Sequence, residues 1–180
     1  MASADARLAW YAAALDELPA YLLSDELLWP LQRPPAQVRQ DLSLGGLLLV
    51  QDSMRVETAL SPAARRKLAE LDQRWSSLRD KHASAVARKG RQERGMRVKL
   101  WTAYLTELRE KPDLAEEYPH QVRQRAMIER LGELTPVVTD PRLDQALREN
   151  FRKGAFVWEA TLKAAYPRER YWFLYGKPEA

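Results

Sequence analysis

The chain has no cysteine, only two histidines among its 180 residues, and no long apolar run. Each absence removes a class of chemistry. Without cysteine there is no disulfide, no thiolate nucleophile and no thiolate metal site. Two histidines leave little for an imidazole-based centre. Glu117-Tyr118-Pro119-His120 has the E-x-x-H spacing used in di-iron helix bundles. Such a site needs a second copy of the motif and further carboxylates. His82 has Arg79, not Glu, three residues before it, and Pro119 disturbs the first copy. No metal or other cofactor is therefore expected, and His82 reads as a packed, hydrogen-bonded histidine.

The longest fully apolar run is Leu8–Leu15, against the ~20 residues a membrane-spanning helix needs. Met1-Ala2-Ser3-Ala4-Asp5 lacks the basic-then-apolar pattern of a signal peptide. The expectation is a cytoplasmic protein with no membrane partner. G-x-S-x-G, the P-loop and G-x-G-x-x-G are all missing. The adjacent carboxylates Asp16-Glu17, Asp25-Glu26 and Glu116-Glu117 would diverge on a helix, so none forms an acid/base pair. An enzyme is not expected.

Glycine is also scarce, at 7 residues, and no stretch alternates cleanly between apolar and polar. Helical spacing dominates instead. Ser3 caps a first helix whose stripe is Leu8, Tyr11, Leu15 and Leu18, and Pro19 should end or kink it. Ser24, followed by Asp25 and Glu26, suggests a short helical turn. Ser43 opens a helix from Leu44 to about Glu57 that is apolar nearly all round at its start. Ser61-Pro62 is a cap followed by proline at the first helical position. Its helix carries Leu68, Leu71, Trp75, Leu78, His82 and Ala85 at alternating spacings of three and four, a coiled-coil-like seam.

A second stripe follows at Val98, Trp101, Leu105 and Leu108. One helix over residues 62–111 would be ~75 Å long, several times the ~16 Å radius of gyration of a compact chain of this size. A turn at residues 90–95, between Gly90 and Gly95, resolves the mismatch. Further on, Pro119 should start a new segment, Leu134–Thr139 (with Pro136) reads as a connector, and Asp140-Pro141 opens a helix striped by Leu143, Leu147, Phe151, Ala155, Trp158 and Leu162. The reading is an all-α helical bundle of about six to eight helices. It forms a single domain, residues 1–180, with a central antiparallel helical hairpin over about 62–111.

Charge is unevenly spread. Residues 61–111 hold 14 Lys/Arg against 6 Asp/Glu, while residues 1–60 carry a net charge of −4 and residues 112–180 are balanced. Arg88, Lys89, Arg91, Arg94, Arg97 and Lys99 would crowd the hairpin tip. Two readings compete: phosphate contact with RNA or DNA, or a charged tip that keeps the hairpin soluble. Arg outnumbers Lys 21 to 8, which a GC-rich genome explains equally well. The C-terminal run Tyr171-Trp172-Phe173-Leu174-Tyr175 cannot face one side of any single element, so it either docks on its own core or anchors a partner. The function expected is a non-catalytic helical interaction module, self-associating or part of a larger assembly. Trp75, Trp101, Tyr171 and Trp172 are its candidate interface residues. The alternative is nucleic-acid binding through residues 88–99.

Overall fold

The computed structural model describes every residue except Met1, Ala2, Arg39, Pro136, Val138 and Ala180. Among the described residues the fold is all-α apart from one two-stranded ribbon. It divides into two compact units, Met1–Glu93 and Arg94–Ala180.

In the first unit, α1 runs Ala4–Leu23 with Ser3 Oγ accepting from the Ala6 N–H at 3.2 Å. It continues through Pro19, where the sequence pattern implies a stop or kink. The residues beyond Pro19 decide this, because Tyr21 and Leu22 are fully buried, and tertiary packing overrides local propensity. Ser24 ends the helix rather than starting another. Its N–H donates to the Ala20 and Tyr21 carbonyls, and among the described residues no helix follows before residue 44. That connector is tied by reciprocal backbone bonds between Trp29 and Leu42 at 2.8 and 2.9 Å.

Helix α2, Leu44–Arg55, is capped by Ser43 Oγ on the Gly46 N–H. Every residue from Leu44 to Met54 is buried, as a helix apolar around most of its circumference requires. Helix α3, Pro62–Lys81, is capped by Ser61 and packs on α1 through Ala64, Leu68, Leu71 and Trp75. A polar clamp joins these three helices. Asp72 Oδ1 accepts from the Tyr11 hydroxyl (3.0 Å) and Gln51 Nε2 (2.7 Å), and Asp72 Oδ2 accepts from Arg55 Nε (3.0 Å). Burial, then the Asp72 charge, pushes the Tyr11 pKa up, so the phenol stays a donor.

Helix α4, Ala83–Glu110, corrects the expected hairpin. Residues 90–95 are helical, and the interruption falls instead at a single residue, His82. Its N–H still donates to the Leu78 carbonyl and its carbonyl accepts from Val86, each at 2.9 Å. Helical bonding on both sides leaves no loop in which to reverse the chain. Gly90 and Gly95 each cost ~1 kcal/mol against alanine, too little to break a helix whose flanks are packed.

The second unit contains the rest of α4, a 3₁₀ turn over Pro112–Glu117, and α5, Tyr118–Leu131, with Pro119 in its first turn as expected. A second 3₁₀ turn, Pro141–Asp144, leads into the short α6, Gln145–Glu149. The long helix expected from Asp140 stops there. Phe151–Phe156 is instead a strand, β1, paired antiparallel with β2, Tyr175–Pro178. Gly154 disfavours helix, Phe151 and Phe156 favour strand, and the partner strand lies at the far end of the chain, beyond the reach of a local pattern.

The ribbon depends on Gly176, whose φ is +152°. A Cβ there would lie 2.2 Å from the Arg152 carbonyl oxygen and 2.7 Å from the Phe151 ring. The aromatic tail is docked. Tyr171, Phe173, Leu174 and Tyr175 are buried, the Tyr118 hydroxyl donates to the Phe173 carbonyl at 2.6 Å, and the Tyr175 hydroxyl donates to the Tyr166 carbonyl at 2.7 Å. Edge-on ring contacts link Phe151 to Trp172 at 5.1 Å and Tyr166 to Tyr171 at 5.0 Å, a geometry that adds ~1 kcal/mol each beyond burial.

Two glycines give opposite predictions. Nothing lies within 4 Å of a Cβ placed on Gly95, so Gly95→Ala should stabilise by about 0.5–1 kcal/mol. Gly176→Ala should destabilise by several times that amount, about 3 kcal/mol or more. Urea midpoints of the two variants against the parent check both.

Candidate functional site

The candidate site is the charged run 88–99, now seen as consecutive turns of one helix. Helical geometry separates its six cations, because side chains four apart share a face and side chains two apart do not. Within the first unit, Arg88 donates to the Leu22 carbonyl at 2.8 Å, and Lys89 Nζ donates to the Ser24 and Glu26 carbonyls at 2.6 and 2.8 Å. Lys89 is fully buried, and its ammonium lies 4.7 Å from the Tyr21 ring centroid. Burial, then the neighbouring Arg88 charge, lowers its pKa. Helix α1 has no basic residue in its own last turn. These two side chains therefore supply the positive charge its C-terminal carbonyls favour. Arg91 alone of this group is exposed. One turn on from Lys89, Glu93 is fully buried and its carboxylate accepts from the Gly45 N–H at 3.1 and 3.2 Å, at the N-terminus of α2.

Within the second unit, Arg94 donates to Thr139 Oγ1 at 3.0 Å and Arg97 to Gln124 Oε1 at 2.9 Å. Both are buried, and Lys99 is exposed. Of the six cations expected at a solvated tip, Lys89, Arg94 and Arg97 are thus inside the protein and bonded there. A hairpin tip would gather all six at one solvated end, whereas the continuous helix turns half of them inward.

The candidate interface residues lie largely inside as well. Trp75, Trp101 and Tyr171 are buried, and Trp172 is half-buried with the Arg148 guanidinium 4.0 Å from its ring centroid. Trp101 Nε1 donates to Asp144 Oδ1 at 3.1 Å. That carboxylate also takes a two-pronged contact from Arg125 Nε, at 3.0 and 2.9 Å, with both side chains only 5–6 % exposed.

The second unit extends this contact into a charge network that no local motif announces. Arg125 Nη1 donates to Glu129 Oε2 at 3.0 Å and its guanidinium lies 4.5 Å from the Phe173 ring centroid. Arg170 bridges Glu129 at 2.9 Å and Glu133 at 2.5 Å, and Arg130 pairs with Glu133. Burial alone would raise the Glu129 pKa. The hydrogen bonds and charges of Arg125 and Arg170 outweigh it and hold the carboxyl below its ordinary value. Arg125 and Arg170 are 45 residues apart in sequence, so only the excess of arginine over lysine hints at them. Arginine suits the role, since its fork bonds carboxylates in pairs and stays charged when buried.

Glu117 and His120 are both exposed. Among the described residues no group of three or more His, Asp or Glu is arranged to hold a metal ion. No helix of the described residues is long and apolar enough to cross a membrane. Compared with protein-family models, with curated proteins and with solved structures, the chain matches none.

The network can be tested at two of its carboxylates. Asp144→Asn takes from Arg125 the more buried of its two carboxylate partners, leaving Glu129 alone, and should cost about 2–3 kcal/mol, read from chemical unfolding. Because the folded pKa of Glu129 is depressed, its contribution to stability is complete above the ordinary carboxyl value of 4.5. It is lost as pH falls below that value. Glu129→Gln should therefore lower stability at neutral pH and flatten the acid limb of the stability–pH curve.

Proposed function

We propose that the protein is a non-catalytic helical interaction module that pairs with a second copy of itself along the seam of α3 and the start of α4. One observation supports this reading. The seam is covered by α1 at Leu68, Leu71 and Trp75, yet it continues past that cover. Leu78, His82 and Ala85 keep the same spacing, but no side chain between residues 76 and 85 is buried. A half-exposed apolar stripe at three-four spacing is what a partner helix packs against. The flanks carry both signs, Asp80 beside Arg79 and Lys81, so an antiparallel copy meets opposite charge without a separate partner. Cytoplasmic action is part of the same reading.

Sedimentation velocity over a concentration series tests it. The parent should associate, and Leu78→Glu should weaken association at least tenfold, ~1.4 kcal/mol, with helical circular dichroism unchanged. A parent that stays monomeric at high concentration, or an indifferent variant, defeats the reading.

Phosphate contact through residues 88–99 is the second reading. It rests on Arg91 and Lys99, which keep exposed side chains. Labelled RNA or DNA should then bind less tightly to Arg91→Ala and Lys99→Ala, with the salt slope falling by about one for each phosphate no longer neutralised. Unchanged affinity in both variants removes it.

A further inference from the structure

A cavity of about 420 Å³ opens in the first unit where the end of α2 meets α3. Small-ligand sites span ~300–1,000 Å³, so this one is large enough to hold a compact molecule. Its apolar lining comes from Met54, Leu60, Leu68 and Ala69, and its charged lining from Arg55, Glu57, Arg65 and Asp72. None of these residues belongs to the run 88–99 or to the half-exposed seam from Leu78 to Ala85, so the cavity is separate from both surfaces proposed for partners.

The hydrogen bonds around the cavity decide what it can take. Its two carboxylates are already used. Asp72 Oδ1 accepts from the Tyr11 hydroxyl and Gln51 Nε2, and Oδ2 accepts from Arg55 Nε. Glu57 Oε1 accepts from the Ala59 N–H at 3.2 Å, and Oε2 accepts from Arg7 Nη2 at 2.7 Å. A cationic ligand would have to displace these partners. The two lining arginines are held but not used up. Arg55 is fixed through Nε by Asp72 at 3.0 Å, which leaves both of its η nitrogens without a partner among the described residues. Arg65 is fixed through Nε on the Leu60 carbonyl at 3.2 Å and through Nη2 on the Thr58 carbonyl at 3.1 Å, which leaves Nη1. Donors placed in advance by their own hydrogen bonds bind an acceptor at a smaller cost in side-chain ordering. With Arg7 counted, three arginines face two carboxylates here, and one positive charge is left over.

We infer that this cavity binds a small organic acid, a monoanion whose carboxylate meets the open N–H donors of Arg55 and Arg65 and whose apolar body lies on Met54, Leu60 and Leu68. The head follows from the donors, because carboxylate oxygens accept from guanidinium N–H groups at charge-assisted strength. The single negative charge follows from the one positive charge left over. The body follows from the floor, where three apolar side chains lie side by side, so that an alkyl group laid on them leaves water.

Hexanoate is the probe, titrated into the full chain at neutral pH and constant ionic strength. Calorimetry gives the affinity, and the arginine Nε–H resonances report on the site itself. Binding should be saturable. It should be at least tenfold tighter than that of acetate, which has the head alone, or of hexanamide, which has the body without the charge. Arg55→Gln and Arg65→Gln should each weaken it at least tenfold. Ala69 is exposed on α3, so Ala69→Phe narrows the cavity, leaves both arginines in place and should weaken hexanoate binding to the same extent. Ligands that bind only the folded state raise the melting temperature with concentration, and hexanoate should do so for the parent and not for Ala69→Phe. Absence of saturable binding to the parent overturns the inference. So does hexanamide or acetate binding as tightly as hexanoate, or parental affinity in both arginine variants. If the arginine variants do not fold, the three ligands on the parent and Ala69→Phe still decide.

Discussion

Charge placed where water is scarce is the constraint on which much of this structure depends. Helix α4 turns Lys89, Glu93, Arg94 and Arg97 inward, where an apolar stripe would ordinarily lie. Each must find a partner at a defined place, because an uncompensated buried ion costs more than the helix gains from its own backbone bonds. Lys89 finds the carbonyls at the end of α1, and Glu93 finds a free N–H at the start of α2. Helix ends that lack caps of the right sign are completed by charges from another helix. The two demands, of the buried charge and of the helix terminus, satisfy each other.

The same logic organises the second unit through a longer chain of groups. Asp144 receives both Arg125 and the indole of Trp101, which fixes where the turn before α6 meets α4 and α5. Arg170 then fastens the segment before the aromatic tail to α5 through Glu129 and Glu133. Around that network the tail inserts its rings. Hydrophobic area supplies most of the driving force, and the charge pairs decide which packing is adopted, since other arrangements would strand an arginine.

Much of the helical architecture is legible locally. Ser3, Ser43 and Ser61 each cap the helix that follows, and Pro119 sits in the first turn of α5, because capping is a short-range matter of a side chain and two or three amides. The departures share one cause, which is distance along the chain. Pro19 is a plausible stop until Tyr21 and Leu22 are seen in the core. Gly90 and Gly95 are plausible turn residues until the packing on either side is known. The Phe151 stripe fits a helix as well as a strand, and only β2, some twenty residues later, chooses between them. The six basic residues do form a run. Their fate depends on which face of α4 each occupies, and a turn at residues 90–95 would have reset that phase. Arg125, Glu129 and Asp144 carry no local signal at all, since their meaning lies in pairings between segments distant in the chain.

Gly176 has a consequence at the level of the genetic code. Any single-base change that turns a glycine codon into another residue adds a Cβ, and here that atom would strike the Arg152 carbonyl oxygen. No gradual route of substitution exists at this position. The ribbon can change only if the opposite strand moves first, so these two segments, separated by about twenty residues in the chain, must vary together or stay as they are.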